Sequence, residues 1–145
     1  MKPLLALAAA ALLAAPAHAA PGDSATATVS PARAGRVATL VVKLHTELQC
    51  GALRPGRAVF RLPQGMGVPA KPAVRLDQAP AAGVAVAGRT LSVTIPRRAG
   101  MTCMVIGPGT ATFTVAGVRN PRAGSYTVRA TANGHTFVAA LSISA

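Results

Sequence analysis

From Ala25 to the end of the chain, apolar residues alternate with small polar ones at a period of two, and no stretch beyond residue 19 sustains an apolar period of 3.6 residues. Such a chain buries one face of each segment only by pairing its segments into sheets, so a helical fold is excluded. Ala25, Ala27 and Val29 share one face, with Thr26 and Thr28 on the other. Ala38, Leu40, Val42 and Leu44 follow, set against Thr39, Lys43 and His45; then Ala58, Phe60 and Leu62 against Arg57 and Arg61. Short runs at 74–77 and 84–86 precede Leu91, Val93 and Ile95, which alternate with Thr90, Ser92 and Thr94. The last three runs are the clearest: Ala111, Phe113 and Val115 among threonines, Tyr126 and Val128 with Thr127 and Arg129, and Phe137, Ala139, Leu141 and Ile143 with Thr136 and Ser142. Nine short strands with one apolar face each predict two antiparallel sheets packed face to face, with a closed barrel as the alternative.

Pro-Gly, Gly-Pro and Asn-Pro pairs separate these runs, and Asn133-Gly134 is a two-residue hairpin signal because both residue types tolerate positive φ. Gly117, Gly124 and the prolines read as turn residues. The aromatic residues are three Phe and one Tyr, so Val, Leu, Ile and Ala must fill most of the core. Tyr126 is expected in that core with its hydroxyl reaching a backbone group.

The start of the chain carries an address. Met1-Lys2 is positive, Leu4 to Ala15 is apolar, and Ala17-His18-Ala19 is the small-x-small pattern of a signal-peptidase site, so residues 1–19 are expected to be a cleaved signal peptide. Residues 20–24 then read as a flexible tail and 25–145 as one domain, secreted or periplasmic, without a transmembrane segment in the mature chain. Neither cysteine adjoins the cleavage site, which excludes a lipid-modified N-terminal cysteine. Cys50 and Cys103 are the only cysteines, and in an oxidising compartment they are expected to form one disulfide.

The segments "VSPARAG", "LRPGRAVFRLPQGMGVP", "AGRTLSVTIP" and "GTATFTVAGVRNPRAGSYTVRATANG" resemble Ig-like β-sandwich domains of exported and surface-anchored bacterial proteins. In those domains a Pro-Gly enters a strand ending in Phe or Leu-Pro, and a Gly-Val-x-Asn-Pro-x-x-Ala-Gly-x-Tyr segment joins two late strands. Gly117-Val118 and Asn120 to Tyr126 carry the second pattern here. The resemblance spans nearly the whole mature chain and implies an all-β, two-sheet Ig-like sandwich of about seven to nine strands. It also implies a structural or binding module of the envelope rather than an enzyme. The chain departs from such proteins in carrying one copy alone without a wall-sorting tail, so surface attachment is not implied.

Antiparallel order sorts the polar residues onto two ends. Connections after even-numbered strands share one end, which places Cys50 and Cys103 together, as a disulfide requires. The same end receives His45, Glu47, Arg54, Arg57, Asp77, Arg97, Arg98, Met101, Met104 and His135. Among these, His45, Met101, Met104 and His135 are candidate copper ligands, since thioether and imidazole suit soft or borderline metals; exposed His at strand ends and Met in a loop are also ordinary. Gly100-Met101-Thr102-Cys103 copies the opening of a copper-binding loop, but Ile106 stands where its second cysteine would be.

The opposite end receives Arg33, Arg36, Lys71, Arg89, Arg119 and Arg122 with no acid, a candidate surface for anionic polymers. Without Lys2 the chain has fourteen Lys and Arg, twelve of them Arg, against Asp23, Glu47 and Asp77, a formal charge of +11. Scattered Arg on outer strand faces also serves solubility. Specific nucleic-acid binding is not expected, because the aromatics all fall in the inward phase and none is left to stack on bases. Three acids are too few for paired acid–base chemistry, and no Gly-x-Ser-x-Gly elbow, phosphate loop or metalloprotease helix is present, so neither catalysis nor a cofactor is expected. The Thr-x-Thr-x-Thr run at 110–114 resembles the threonine arrays of ice-binding proteins, but threonine is favoured on outer strand faces in general. The partner is left as an unidentified envelope protein or an anionic polymer.

Overall fold

The computed structural model describes residues 22–46, 56–95, 109–132 and 134–145. Ten strands lie among them: β1 (Ser24–Ser30), β2 (Val37–Thr46), β3 (Gly56–Arg61), β4 (Val74–Leu76), β5 (Ala79–Pro80), β6 (Val84–Ala87), β7 (Thr90–Ile95), β8 (Gly109–Arg119), β9 (Gly124–Ala132) and β10 (His135–Ile143). They form two five-stranded sheets, β1-β2-β8-β4-β5 and β10-β9-β3-β7-β6, in which every pairing is antiparallel. The fold is a β-sandwich and not a closed barrel. The strand absent from the sequence reading is Ala79–Pro80, two residues that fold back on β4 through a tight turn at Asp77 and Gln78. The domain boundary expected at Ala25 falls one residue inside β1.

Alternation decides which face is buried. In β10, Phe137, Ala139, Leu141 and Ile143 are buried while Val138, Ala140 and Ser142 face out. Phe60 of β3 and Phe113 of β8 come from opposite sheets and meet edge to face, ring centroids 4.7 Å apart, each at most 1 % exposed. Such a contact adds roughly 1 kcal/mol beyond the area it buries. It joins the two sheets within a core that also holds Phe137, Met66 and many aliphatic side chains.

One irregularity changes the phase of β8. Between Ala38 and Leu40, β2 advances two residues while its partner β8 advances three, from Val118 back to Val115. The extra residue is accommodated at Gly117, whose φ of +80° is open to glycine without steric cost. Gly117 is therefore a bulge inside a strand, not the turn residue expected from sequence. Its consequence is that Val115 and Val118 both point into the core, and Asn120 follows Val118 inward. The segment after β3 supplies a second departure from simple alternation: Leu62 is buried in the phase expected of it, but Met66 is buried in an irregular segment, with its N–H donating to Pro63 O at 3.2 Å.

Candidate functional site

The strand directions define two ends. At one, β2 finishes beside the start of β8 (Thr46 opposite Gly109), and β3 starts beside the end of β7 (Gly56 opposite Ile95). Segments 47–55 and 96–108 both run between these paired stems. Cys50, Cys103, Met101, Met104, Glu47, Arg54, Arg97 and Arg98 lie outside the described residues. The two histidines proposed as copper ligands flank the start of β1 from opposite sheets. His45 of β2 is the register partner of Ser24, and its Nδ1 is 2.9 Å from Thr110 Oγ1 of β8. His135 of β10 places Nδ1 2.7 Å from Asp23 Oδ2, and the Asp23 side chain is fully covered. Both imidazoles thus spend one nitrogen on the fold. Among the described residues no group of three or more His, Cys, Asp and Glu is placed to hold a metal.

Asp77 is used in the same way. It sits at φ +54°, an uncommon angle outside glycine, in the β4–β5 turn. Its N–H donates to Thr112 O at 2.6 Å, and its Oδ1 accepts from Thr112 N–H at 3.0 Å. The carboxylate serves as a strand extension that seats the turn on β8. Asp23 is thus covered in its contact with His135 of β10, and Asp77 is bound to β8.

The other end is built on Asn120. Because the Gly117 bulge turns it inward, Asn120 is 2 % exposed, and its Nδ2 donates to Pro31 O at 2.7 Å and Arg33 O at 2.8 Å. Its backbone N–H donates to Arg36 O at 2.9 Å, and its carbonyl accepts from Gly35 N–H at 3.2 Å. One side chain therefore fastens the β1–β2 connection to the β8–β9 connection. Asn120 Oδ1 is buried without a donor among the described groups. Arg119 adds a bond from Nη1 to Gly35 O at 2.9 Å and pairs through its backbone with Gly67. Tyr126 is half-buried, and its hydroxyl donates to Arg122 O at 2.8 Å, the backbone contact expected from sequence. A shallow depression between these parts is lined by Gly35, Gly65, Asn120, Arg122 and Tyr126.

Of the six basic residues assigned to this end, Arg33, Arg36, Arg119 and Arg122 surround the Asn120 hub. Arg89, in the β6–β7 turn, accepts Leu62 N–H at its carbonyl at 2.9 Å, so it sits where β3 ends. Lys71 lies exposed in the segment joining β3 to β4. Sequence reasoning missed Asn120 as the hub, taking Asn-Pro only as a turn. It also missed Arg61 and Arg129, outward on neighbouring strands, because a register is needed to see that they face each other.

No protein-family model matches the sequence, and no curated protein is detectably similar to it. Solved structures do match. BslA, described as a bacterial hydrophobin, superposes with a TM-score of 0.58 at 18 % identity over 85 % of this chain and 98 % of its own. The major pilin subunit of Bacillus cereus superposes with a TM-score of 0.47 at 12 % identity over 83 % of this chain and 40 % of its own. A collagen-binding subdomain of the Enterococcus faecalis surface protein ACE gives a TM-score of 0.38 at 10 % identity, covering 86 % and 99 %. Among the described residues no helix is long and apolar enough to cross a membrane. The likeness to BslA is one of fold: nearly the whole of that protein's length has its counterpart in this antiparallel two-sheet sandwich.

Proposed function

We propose that this chain is an exported, non-catalytic structural or binding module of the bacterial envelope, released from residues 1–19 and stapled by a Cys50–Cys103 disulfide. The observation that carries the reading is how its reactive groups are spent. Asp23, Asp77, His45 and His135 all hold strands or turns in place, whereas Arg119 at the Asn120 end donates to the Gly35 carbonyl rather than to an acid. A domain so arranged has its described acids and histidines committed to the fold and an excess of arginine left for contact.

The disulfide is supported by the stems. Thr46 is opposite Gly109 and Gly56 is opposite Ile95, so the cysteine-bearing segments leave from and return to neighbouring positions. Closing a loop of that length contributes about 4 kcal/mol in the entropic account. Fractionation with intact-mass measurement tests the reading as a whole. Recovery outside the cytoplasm of a chain beginning at Ala20 is the expected result, and an unprocessed cytoplasmic chain overturns it.

A second reading rests on the sequence between those same stems, which carries Leu48, Leu53, Met101, Met104, Val105 and Ile106. Apolar residues concentrated between strand ends, where polar ones are usual, favour contact with an oil or air interface, and BslA, whose fold is similar, is described as a bacterial hydrophobin. Surface tensiometry of the purified protein tests this: film formation that is lost in a Leu53→Ser/Ile106→Ser variant supports it, and no surface activity removes it.

A further inference from the structure

The outer face of the β10-β9-β3-β7-β6 sheet holds a feature that positive charge on a soluble surface does not explain. Arg61 of β3 and Arg129 of β9 are register partners, both exposed. Like charges directly opposite on paired strands repel, so sequences ordinarily avoid the arrangement or place an acid beside it. Among the described residues no acid is the register neighbour of either arginine. The chain has three, of which Asp23 is covered between the sheets, Asp77 is bound to β8 in the other sheet, and Glu47 lies outside the described residues.

The pair is also extended on one side. Arg61 is opposite Thr90 on β7, and Arg89 immediately precedes Thr90 in a turn fixed by its carbonyl to Leu62 N–H. Arg129 and Arg61 thus lie in a short row across two neighbouring strands, at the roughly 4.8 Å strand spacing, and Arg89, exposed in the turn beside Thr90, lies one residue off that row. Ala85, Ala87, Thr127 and Ala140 nearby are small and exposed, so the arginine side chains stand clear of the sheet.

We propose that this row is a binding site for a linear polyanion of the phosphodiester or polyphosphate class, lying across the sheet with an oxyanion shared between Arg61 and Arg129. Three properties select that ligand. Both cations of the row are Arg, whose planar fork matches phosphate oxygens two at a time. Arg61 and Arg129 are carried on central strands, so their backbones are already in place. The face bears one strongly exposed large apolar residue, Val138 at 51 %, too few for a surface that inserts among lipid tails. A bridging oxyanion turns the repulsion between the two guanidinium groups into a shared contact, which explains why the pair lacks a carboxylate. The site deepens the reading of the chain as a binding module and rests on it.

The test uses the mature protein with linear polyphosphate, monitored by calorimetry at several salt concentrations. Arg61→Gln and Arg129→Gln are each expected to weaken binding roughly tenfold and to lower the log–log salt slope by about one. Without ligand both variants are expected to melt no lower than the parent, because each removes a repulsion, so weakened binding is not misfolding. Arg36→Gln/Arg122→Gln at the Asn120 end is the comparison arm. Loss of binding there with none in the sheet variants overturns the site while leaving a polyanion-binding end intact. Retention of the parent by phosphatidylglycerol vesicles but not by polyphosphate also overturns it, in favour of a membrane surface. If no arm binds, the proposal fails but the envelope-module reading stands on its own fractionation test.

Discussion

Asn120 is where the architecture concentrates its risk, and Asn120→Ala is expected to be among the most destabilising changes outside the apolar core. The side chain makes two bonds from Nδ2, 2.7 Å to Pro31 O and 2.8 Å to Arg33 O, from a position 2 % exposed. Each such bond contributes about 1 kcal/mol net, and truncation leaves two carbonyls short of a donor at further cost, for a total of about 2–3 kcal/mol. Oδ1 accepts nothing among the described groups, so its removal forfeits no further hydrogen bond. For a domain of this size the loss corresponds to about 8–12 °C in Tm. Asn120→Asp separates donor loss from volume loss, since it keeps the shape but sets a carboxylate oxygen against two carbonyls. It is expected to be worse than Asn120→Ala at neutral pH. The repulsion raises the folded-state pKa of the new carboxyl above its unfolded value of roughly 3.9, so the deficit narrows as pH falls toward that value and widens as pH rises through the folded pKa. Urea unfolding of the three proteins at pH 4 and pH 7 reads all of this. Asn120→Ala within about 0.5 kcal/mol of the parent, the ordinary scatter of a neutral surface change, would refute the hub.

Gly117→Ala is expected to cost about 1–2 kcal/mol, because a Cβ at φ +80° is strained and would also lie 3.3 Å from Pro69 Cγ; the urea midpoint should fall with the slope unchanged. Phe113→Ala should cost about 3–5 kcal/mol by opening a cavity against Phe60, read as a loss of cooperative thermal unfolding near ambient temperature. Asp23→Ala should cost about 1–2 kcal/mol through the His135 contact and accelerate amide exchange at the start of β1 before that of the β3–β7 centre.

The sandwich was legible because alternation is a direct record of burial. Leu40, Val42, Leu44, Phe60, Val93, Phe113, Val128 and Phe137 all fall on the side their period assigns. What alternation cannot record is a change of phase inside a strand. Val118 and Asn120 look outward when counted from Phe113, and only the one-residue bulge at Gly117 brings them in. Met66 escaped for a related reason, since a single apolar residue in an irregular segment has no period to report its burial. Strand direction bears on which end a residue occupies and carries nothing about its place across a sheet face. Seeing Arg61 opposite Arg129 requires knowing that β9 and not β2 lies beside β3, a long-range pairing that no local pattern encodes.

We propose that the two cysteine-bearing segments are covalently joined at the end away from Asn120. Non-reducing digestion of the protein recovered from the envelope or the medium, followed by mass spectrometry, measures that most directly. The expected result is one cross-linked peptide joining Cys50 to Cys103, with no alkylatable thiol in the native protein and a stability loss on reduction of about 4 kcal/mol. Two thiols that alkylate in the native protein would contradict it.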